Sequence, residues 1–173
     1  MASTGVPRDS AVMGQDDDFF SAVAVLNSLE RLDVDGMRLL YRVERAGEHF
    51  YDQLADRIGE PRAADLLRRN GREERGHSER VRRAIGVKLG TAYEPTVADQ
   101  APYAIALPDS VSPEMLAVIV QAERDGDVGY EKWAERESDP EVQRLLRLNA
   151  REETIHGERV SEVIAILASA SSR

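Results

Sequence analysis

The sequence predicts an all-α fold: a four-helix bundle made of two similar helix pairs joined by a long crossover, with a short extra helix at the N-terminal side. Three observations carry this prediction. Apolar residues recur at three- and four-residue steps over four long stretches. Aromatic residues make up only 5% of the 173 residues, which disfavours a sheet-rich fold. Finally, residues 41–86 align with residues 120–165 without a gap, with 19 identities in 46 positions, where composition alone gives roughly three.

The elements follow in chain order. Residues 1–15 have no long apolar run and are expected to be a flexible tail ahead of a single folded domain at 16–170. In "DDDFFSAVAVLNSLE", Phe19, Ala22, Leu26 and Leu29 share one face, which predicts a short packing helix with aspartates at its positive end. The first repeat, 35–86, starts with a helix carrying Met37, Leu40, Gly47, Tyr51, Leu54 and Ile58 on one stripe. "IGEP" breaks that helix, and Pro61 suits the first turn of the next, whose stripe runs Ala63, Leu66, Leu67, Asn70, Val81, Ala84 and Ile85. Residues 87–112 contain Pro95, Pro102 and Pro108 and no helical period, so they are read as a crossover long enough to leave the middle helices parallel. The second repeat, 113–168, begins with a helix carrying Leu116, Ile119, Gly126, Tyr130 and Trp133. "SDPE" then offers Asp139 as N-cap and Pro140 at the first helical position. The last stripe holds Val142, Leu145, Leu146, Asn149, Val160, Val163, Ile164 and Leu167.

Composition narrows the function classes. The formal charge is −9, and arginine clusters such as "LLRRNGREER" are interleaved with glutamate, so no nucleic-acid partner is expected. The absence of cysteine excludes disulfides, thiol catalysis, cysteine-ligated zinc and iron–sulfur clusters, and fits a cytoplasmic protein. No run approaches the roughly 20 apolar residues of a membrane span.

The informative residues are polar ones inside the apolar stripes. Glu44 lies between Leu40 and Tyr51, and Glu123 between Ile119 and Tyr130. Glu74 and His77 fall between Asn70 and Val81; Glu153 and His156 fall between Asn149 and Val160. Six ionisable groups therefore point at one core. Four carboxylates buried together repel, and each costs several kcal/mol if unpaired. No arginine is expected on the inward stripes, so two metal ions are the expected counter-charge. Carboxylate and imidazole ligands without thiolate suit iron or manganese rather than structural zinc. Glu73 and Glu152, about 100° round the helix from the inward glutamates, are read as solvated or arginine-paired. His49 is read as a non-ligand, and Asn70 and Asn149 as supports for a ligand or as helix–helix links.

With those residues in place, the sequence resembles the ferritin-like di-iron carboxylate superfamily, and rubrerythrins most closely. The resemblance rests on "ERAGEHFY" and "EERGH", repeated as "ERDGDVGY" and "EETIH", and covers residues 35–168. It implies two iron ions, with manganese as the alternative. Glu44 and Glu123 would be terminal ligands, Glu74 and Glu153 bridges, and His77 and His156 one ligand each. Tyr51 and Tyr130 would hydrogen-bond ligand carboxylates. Some rubrerythrins carry an extra glutamate three residues after the terminal ligand; here the nearest acids are Glu48 and Asp127, four residues after, either added ligands or exposed acids. Rubrerythrins often carry a four-cysteine rubredoxin domain, and without cysteine the electrons must come from an external donor. The implied activity is peroxide reduction or ferrous-iron oxidation with peroxide or O2, in a homo-oligomer such as a dimer. Iron binding or storage is a second expectation. A third is hydroxylation of an organic substrate, since "RVERAGE" at 42–48 also resembles a stretch of demethoxyubiquinone hydroxylase. An open apolar groove beside the metals would favour that third reading, and a closed, water-sized pocket would count against it.

Overall fold

The computed structural model describes residues 18–171; the tail expected at 1–15 lies outside them. Four long helices form the bundle: α2 (Val34–Arg57), α3 (Pro61–Leu89), α5 (Pro113–Glu135) and α6 (Pro140–Ser171). Helix α1 (Phe19–Ser28) precedes them, and the single turn α4 (Val97–Gln100) lies in the crossover. There is no strand among the described residues. One isolated bridge, Asp18 to Ala104, ties the start of α1 to the crossover.

Each helix starts where a side chain satisfies its free N–H groups. Asp33 accepts from Gly36 N at 2.8 Å, Glu60 from Ala63 N at 2.6 Å, and Ser112 from Met115 N at 3.2 Å. Asp139 accepts from Val142 N at 3.1 Å, with Pro140 opening α6 as the sequence predicts. Left-handed glycines end two helices: Gly59 at φ 70° just beyond α2 and Gly90 at φ 67° capping α3.

The hairpin α2–α3 and the hairpin α5–α6 pack on each other mainly through α3 and α6. Contacts across the bundle give the helix directions. Tyr51 reaches Glu123 while Tyr130 reaches Glu44, so α2 and α5 are antiparallel. Because α3 is also antiparallel to α2, α3 and α5 run parallel, which requires the long crossover. Burial of the stripes drives this packing: Met37, Leu54, Leu67 and Leu116 are fully enclosed, each worth about 1.5–3 kcal/mol of transfer free energy.

The crossover is better ordered than its proline content implies. Asp99, buried in α4, accepts from Arg38 Nε at 3.0 Å, Tyr93 Oη at 2.6 Å and Thr96 Oγ1 at 2.6 Å. These donors outweigh the cost of burial and hold its carboxyl well below the usual range. Arg42 donates to the Ala101 carbonyl at 2.8 Å and covers the Tyr103 ring at 3.8 Å. The one-turn α4 was not expected; four residues closed by a Thr96–Asp99 capping box are too short to leave a periodic signal.

Candidate metal centre

The inward stripes bring all six predicted residues together at mid-bundle. Glu44, Glu74, His77, Glu123, Glu153 and His156 are all buried, with both imidazoles at 0% exposure. They form two overlapping groups. One contains Glu44, Glu74, His77 and Glu153; the other contains Glu74, Glu123, Glu153 and His156. In each group the candidate ligand atoms lie within 4.8 Å of one another. Glu74 and Glu153 belong to both groups, because α3 and α6 are adjacent and antiparallel, and Glu-x-x-His puts each acid one turn before its own histidine.

Each histidine presents Nδ1 to the carboxylates. His77 Nδ1 stands 3.3 Å from Glu44 Oε2, 3.6 Å from Glu74 Oε2 and 3.1 Å from Glu153 Oε1. His156 Nδ1 stands 3.2 Å from Glu74 Oε1, 3.6 Å from Glu123 Oε2 and 3.7 Å from Glu153 Oε2. Yet neither Nδ1 has a hydrogen-bond partner of acceptable geometry. A buried nitrogen aimed between three oxygens without bonding to any of them fits a cation held among them.

The outer nitrogens are held by residues read in the sequence as surface features. His77 Nε2 lies 3.1 Å from Glu152, and His156 Nε2 lies 3.2 Å from Glu73. Arg80 pairs with Glu152, and Arg159 with Glu73 through two N–H groups. Those arginines also donate to Asn149 and Asn70, whose amides donate to the carbonyls of His77 at 3.4 Å and His156 at 3.2 Å. The expectation that arginine stays off the inward face is therefore corrected: Arg159 is buried and Arg80 partly so, at the rim of the cluster. Three residues after each histidine, they reach the bundle seam one turn beyond it. Glu73 and Glu152 are arginine-paired, as expected, but each also orients an imidazole, which a helical-wheel angle does not reveal. The available signal was that Glu73/Glu152 and Arg80/Arg159 are identical across the two repeats.

Tyr130 Oη donates to Glu44 Oε1 at 2.6 Å, and Tyr51 Oη donates to Glu123. Each tyrosine thus reaches a carboxylate of the other repeat. Gly47 and Gly126 leave room for the shared carboxylates: a Cβ on Gly47 would lie 3.1 Å from the Glu74 carboxylate, and one on Gly126 3.5 Å from that of Glu153. Glu48 and Asp127 stand outside both groups. Glu48 accepts from Arg75 at 2.9 Å, and Asp127 from Thr154 Oγ1 at 2.8 Å. His49 is exposed and outside the groups as well.

A comparison with protein families decides the relationship: the rubrerythrin family model matches residues 37–164, which contain all six clustered residues. The chain belongs to the rubrerythrin family. None of the curated proteins or solved structures it was compared with matches.

In this rubrerythrin-family chain the cluster is strongly polarised. Burial, with the neighbouring Glu153 and Glu44, raises Glu74 well above the usual carboxylate range, and burial pushes Glu123 up to about 8. Burial opposes charge on the imidazoles, but facing carboxylates outweigh it: Glu153, Glu152 and Glu44 raise His77, and Glu123, Glu153 and Glu74 push His156 up to about 12. Glu153 moves the other way, because His77 and His156 overcome its burial. Hydrogen bonding by His77 holds Glu152 at about 2. Burial beside Glu123 and Glu44 keeps Tyr51 and Tyr130 protonated, so both remain donors. Without cations the cluster offsets its negative charge by retaining protons, which bound cations would displace.

Beside the carboxylates lies an apolar chamber of about 290 Å³ between α1, α2 and α5. It opens past Phe20 on α1 and Val118 on α5, both exposed, and ends on Glu44, Glu74, Glu123 and Glu153. Helix α1, expected only to pack, supplies one wall. Trp133 lines the chamber while its Nε1 donates to the Leu29 carbonyl at 2.9 Å. Among the described residues no helix is long and apolar enough to cross a membrane.

Proposed function

We propose that the chain holds two metal ions, iron with manganese as the alternative, and reacts with peroxide or O2 as a rubrerythrin-like peroxidase or ferroxidase. The observation that carries this reading is the pair of overlapping buried groups sharing Glu74 and Glu153, each with an unpartnered Nδ1 turned inward. Glu44 with His77 would hold one ion and Glu123 with His156 the other, with Glu74 and Glu153 available to both. Bound iron would supply the electrons for reducing peroxide to water, replenished by an external donor. The chain's own contribution is positional. Tyr130 and Tyr51 orient the carboxylates of Glu44 and Glu123, Glu152 and Glu73 orient the imidazoles, and the apolar chamber gives a small molecule access to the carboxylate face. A homodimer in the cytoplasm is the assembly and location that go with this reading.

The test is metal analysis of protein purified without added metal, followed by stopped-flow mixing of the iron-loaded, reduced protein with peroxide and with O2. Two ions per chain and oxidation within seconds are expected; metal at background level sinks the proposal. Anaerobic iron loading followed by air separates storage, because hundreds of irons per particle would mean a mineral store. The glycines give a finer check. Gly47→Ala is expected to weaken metal binding about tenfold, since its Cβ crowds the Glu74 carboxylate at 3.1 Å. Gly126→Ala, at 3.5 Å from Glu153, is expected to stay within about threefold of wild type. Titration against a chelating dye measures both.

A second reading, oxygenation of an organic substrate, is favoured by the chamber. A site for peroxide or O2 alone does not need about 290 Å³ of apolar volume open at the surface.

A further inference from the structure

The chamber gathers most of the aromatic rings of a chain that has few. The sequence holds three phenylalanines, one tryptophan and five tyrosines, and Phe19, Phe20, Phe50, Tyr51, Tyr130 and Trp133 line this one space. Several are already edge-to-face: Phe19–Phe20 at 5.3 Å and 71°, Phe20–Phe50 at 6.2 Å and 85°, Tyr130–Trp133 at 5.7 Å and 78°. Walls of this kind present both ring faces and ring edges to a further ring. The volume, about 290 Å³, is nearly twice that of a cavity of about 150 Å³ that takes up one benzene.

Charge narrows the occupant further. Among the described residues no lysine, arginine or histidine lines the chamber, while four carboxylates form its floor and Asp125 stands at its rim. Without bound cations, an anion entering it meets carboxylates and no basic side chain in the lining. A hydroxyl group, by contrast, finds acceptors on the floor.

We propose that the chamber is a binding site for a neutral one- or two-ring aromatic molecule bearing a hydroxyl group, with its rings among Phe19, Phe50 and Trp133 and its hydroxyl toward the carboxylates. This names the substrate class for the organic reading above and rests on that reading only for the chemistry, because the walls are independent of any metal.

Trp133 supplies the probe. As the only tryptophan it gives a single indole N–H signal in a nitrogen-15 correlation spectrum. The full chain, metal-stripped and zinc-loaded, is titrated with 2-naphthol and with 2-naphthoate. A saturable shift of the indole signal is expected with naphthol in both forms, and in the metal-stripped form naphthoate is expected to bind at least about tenfold more weakly. Ala122→Phe fills the exposed mouth, and Gly129→Leu adds bulk where a Cβ would meet only the Trp133 ring, at 3.8 Å. Each is expected to weaken naphthol at least about tenfold. Val128→Phe, on the same helix but 68% exposed and outside the chamber, is expected to leave binding within about twofold. No saturable shift in the wild-type chain, equal binding of naphthoate by the metal-stripped chain, or filled variants that bind as wild type would each overturn the proposal. Metal analysis of the same samples keeps the readings apart: metal uptake without naphthol binding removes this inference alone, and naphthol binding without metal uptake removes the metal proposal alone.

Discussion

Glu153→Gln is expected to cost the protein both metal ions. Glu153 belongs to both buried groups and lies 3.1 Å from His77 Nδ1 and 3.7 Å from His156 Nδ1. It is also the shared carboxylate held lowest by the two histidines, hence the one most fully ionised. Glutamine keeps the volume but removes that charge and offers a weaker, neutral oxygen. Metal per chain after dialysis is expected to fall from two to under about 0.3. Glu44→Gln touches one group only and is expected to keep about one ion. Elemental analysis of the three proteins, with far-ultraviolet circular dichroism to establish that each is folded, reads the result. Two ions retained by Glu153→Gln would refute its bridging role.

The second large effect is the pH dependence of the metal-stripped chain. In the folded state Glu123 is pushed up to about 8 from 4.5, and His156 up to about 12 from 6.5. Both groups hold protons in the folded chain that the unfolded chain gives up at lower pH. Their contribution to stability is fully present below the unfolded values and is lost as pH rises through the folded ones. Glu153, shifted the other way, acts only below about 4.5 and lies outside this window. From pH 6 to pH 9 the metal-stripped chain is therefore expected to lose on the order of 6 kcal/mol. Urea unfolding in the presence of a chelator, at both pH values, measures the loss. A metal-loaded chain is expected to be nearly flat over that range, with loading itself worth about 4 kcal/mol at a thousandfold excess over Kd. Loading is also expected to release roughly two to four protons per chain, visible with an indicator dye in weak buffer. Rising stability of the stripped chain toward pH 9 would contradict the electrostatics described above.

Much of this architecture is legible in local sequence. Helix starts at Pro61, Pro113 and Pro140 are written in their capping residues, and the polar positions within the apolar stripes need only a 3.6-residue period to be placed inward. The repeat strengthens both readings, because two copies in register seldom arise by composition. Other features were illegible for identifiable reasons. The turn Val97–Gln100 is shorter than one hydrophobic period. Arg80 and Arg159 are long side chains whose heads travel away from their Cα positions, so a helical wheel assigns them to the wrong surface. Glu48 and Asp127 share the approximate facing of Glu44 and Glu123, and only the positions of Arg75 and Thr154 on neighbouring helices decide where they turn.

By itself, the sequence determined which long helices form and which acids and histidines their apolar stripes turn inward, because capping and periodicity act within a few residues along one chain. Tertiary structure alone decided the rest. Helices α3 and α6 meet antiparallel, so Glu74 and Glu153 enter both groups and each histidine is steadied by an acid from the opposite helix. Helix α1 lies against α2, so the aromatic rings of three separate helices enclose one chamber above the carboxylates. The contacts between α3 and α6 join residues 70 or more positions apart and Phe19 meets Phe50 across 31, and nothing in the local chain specifies which helix face will meet which until the stripes are buried together.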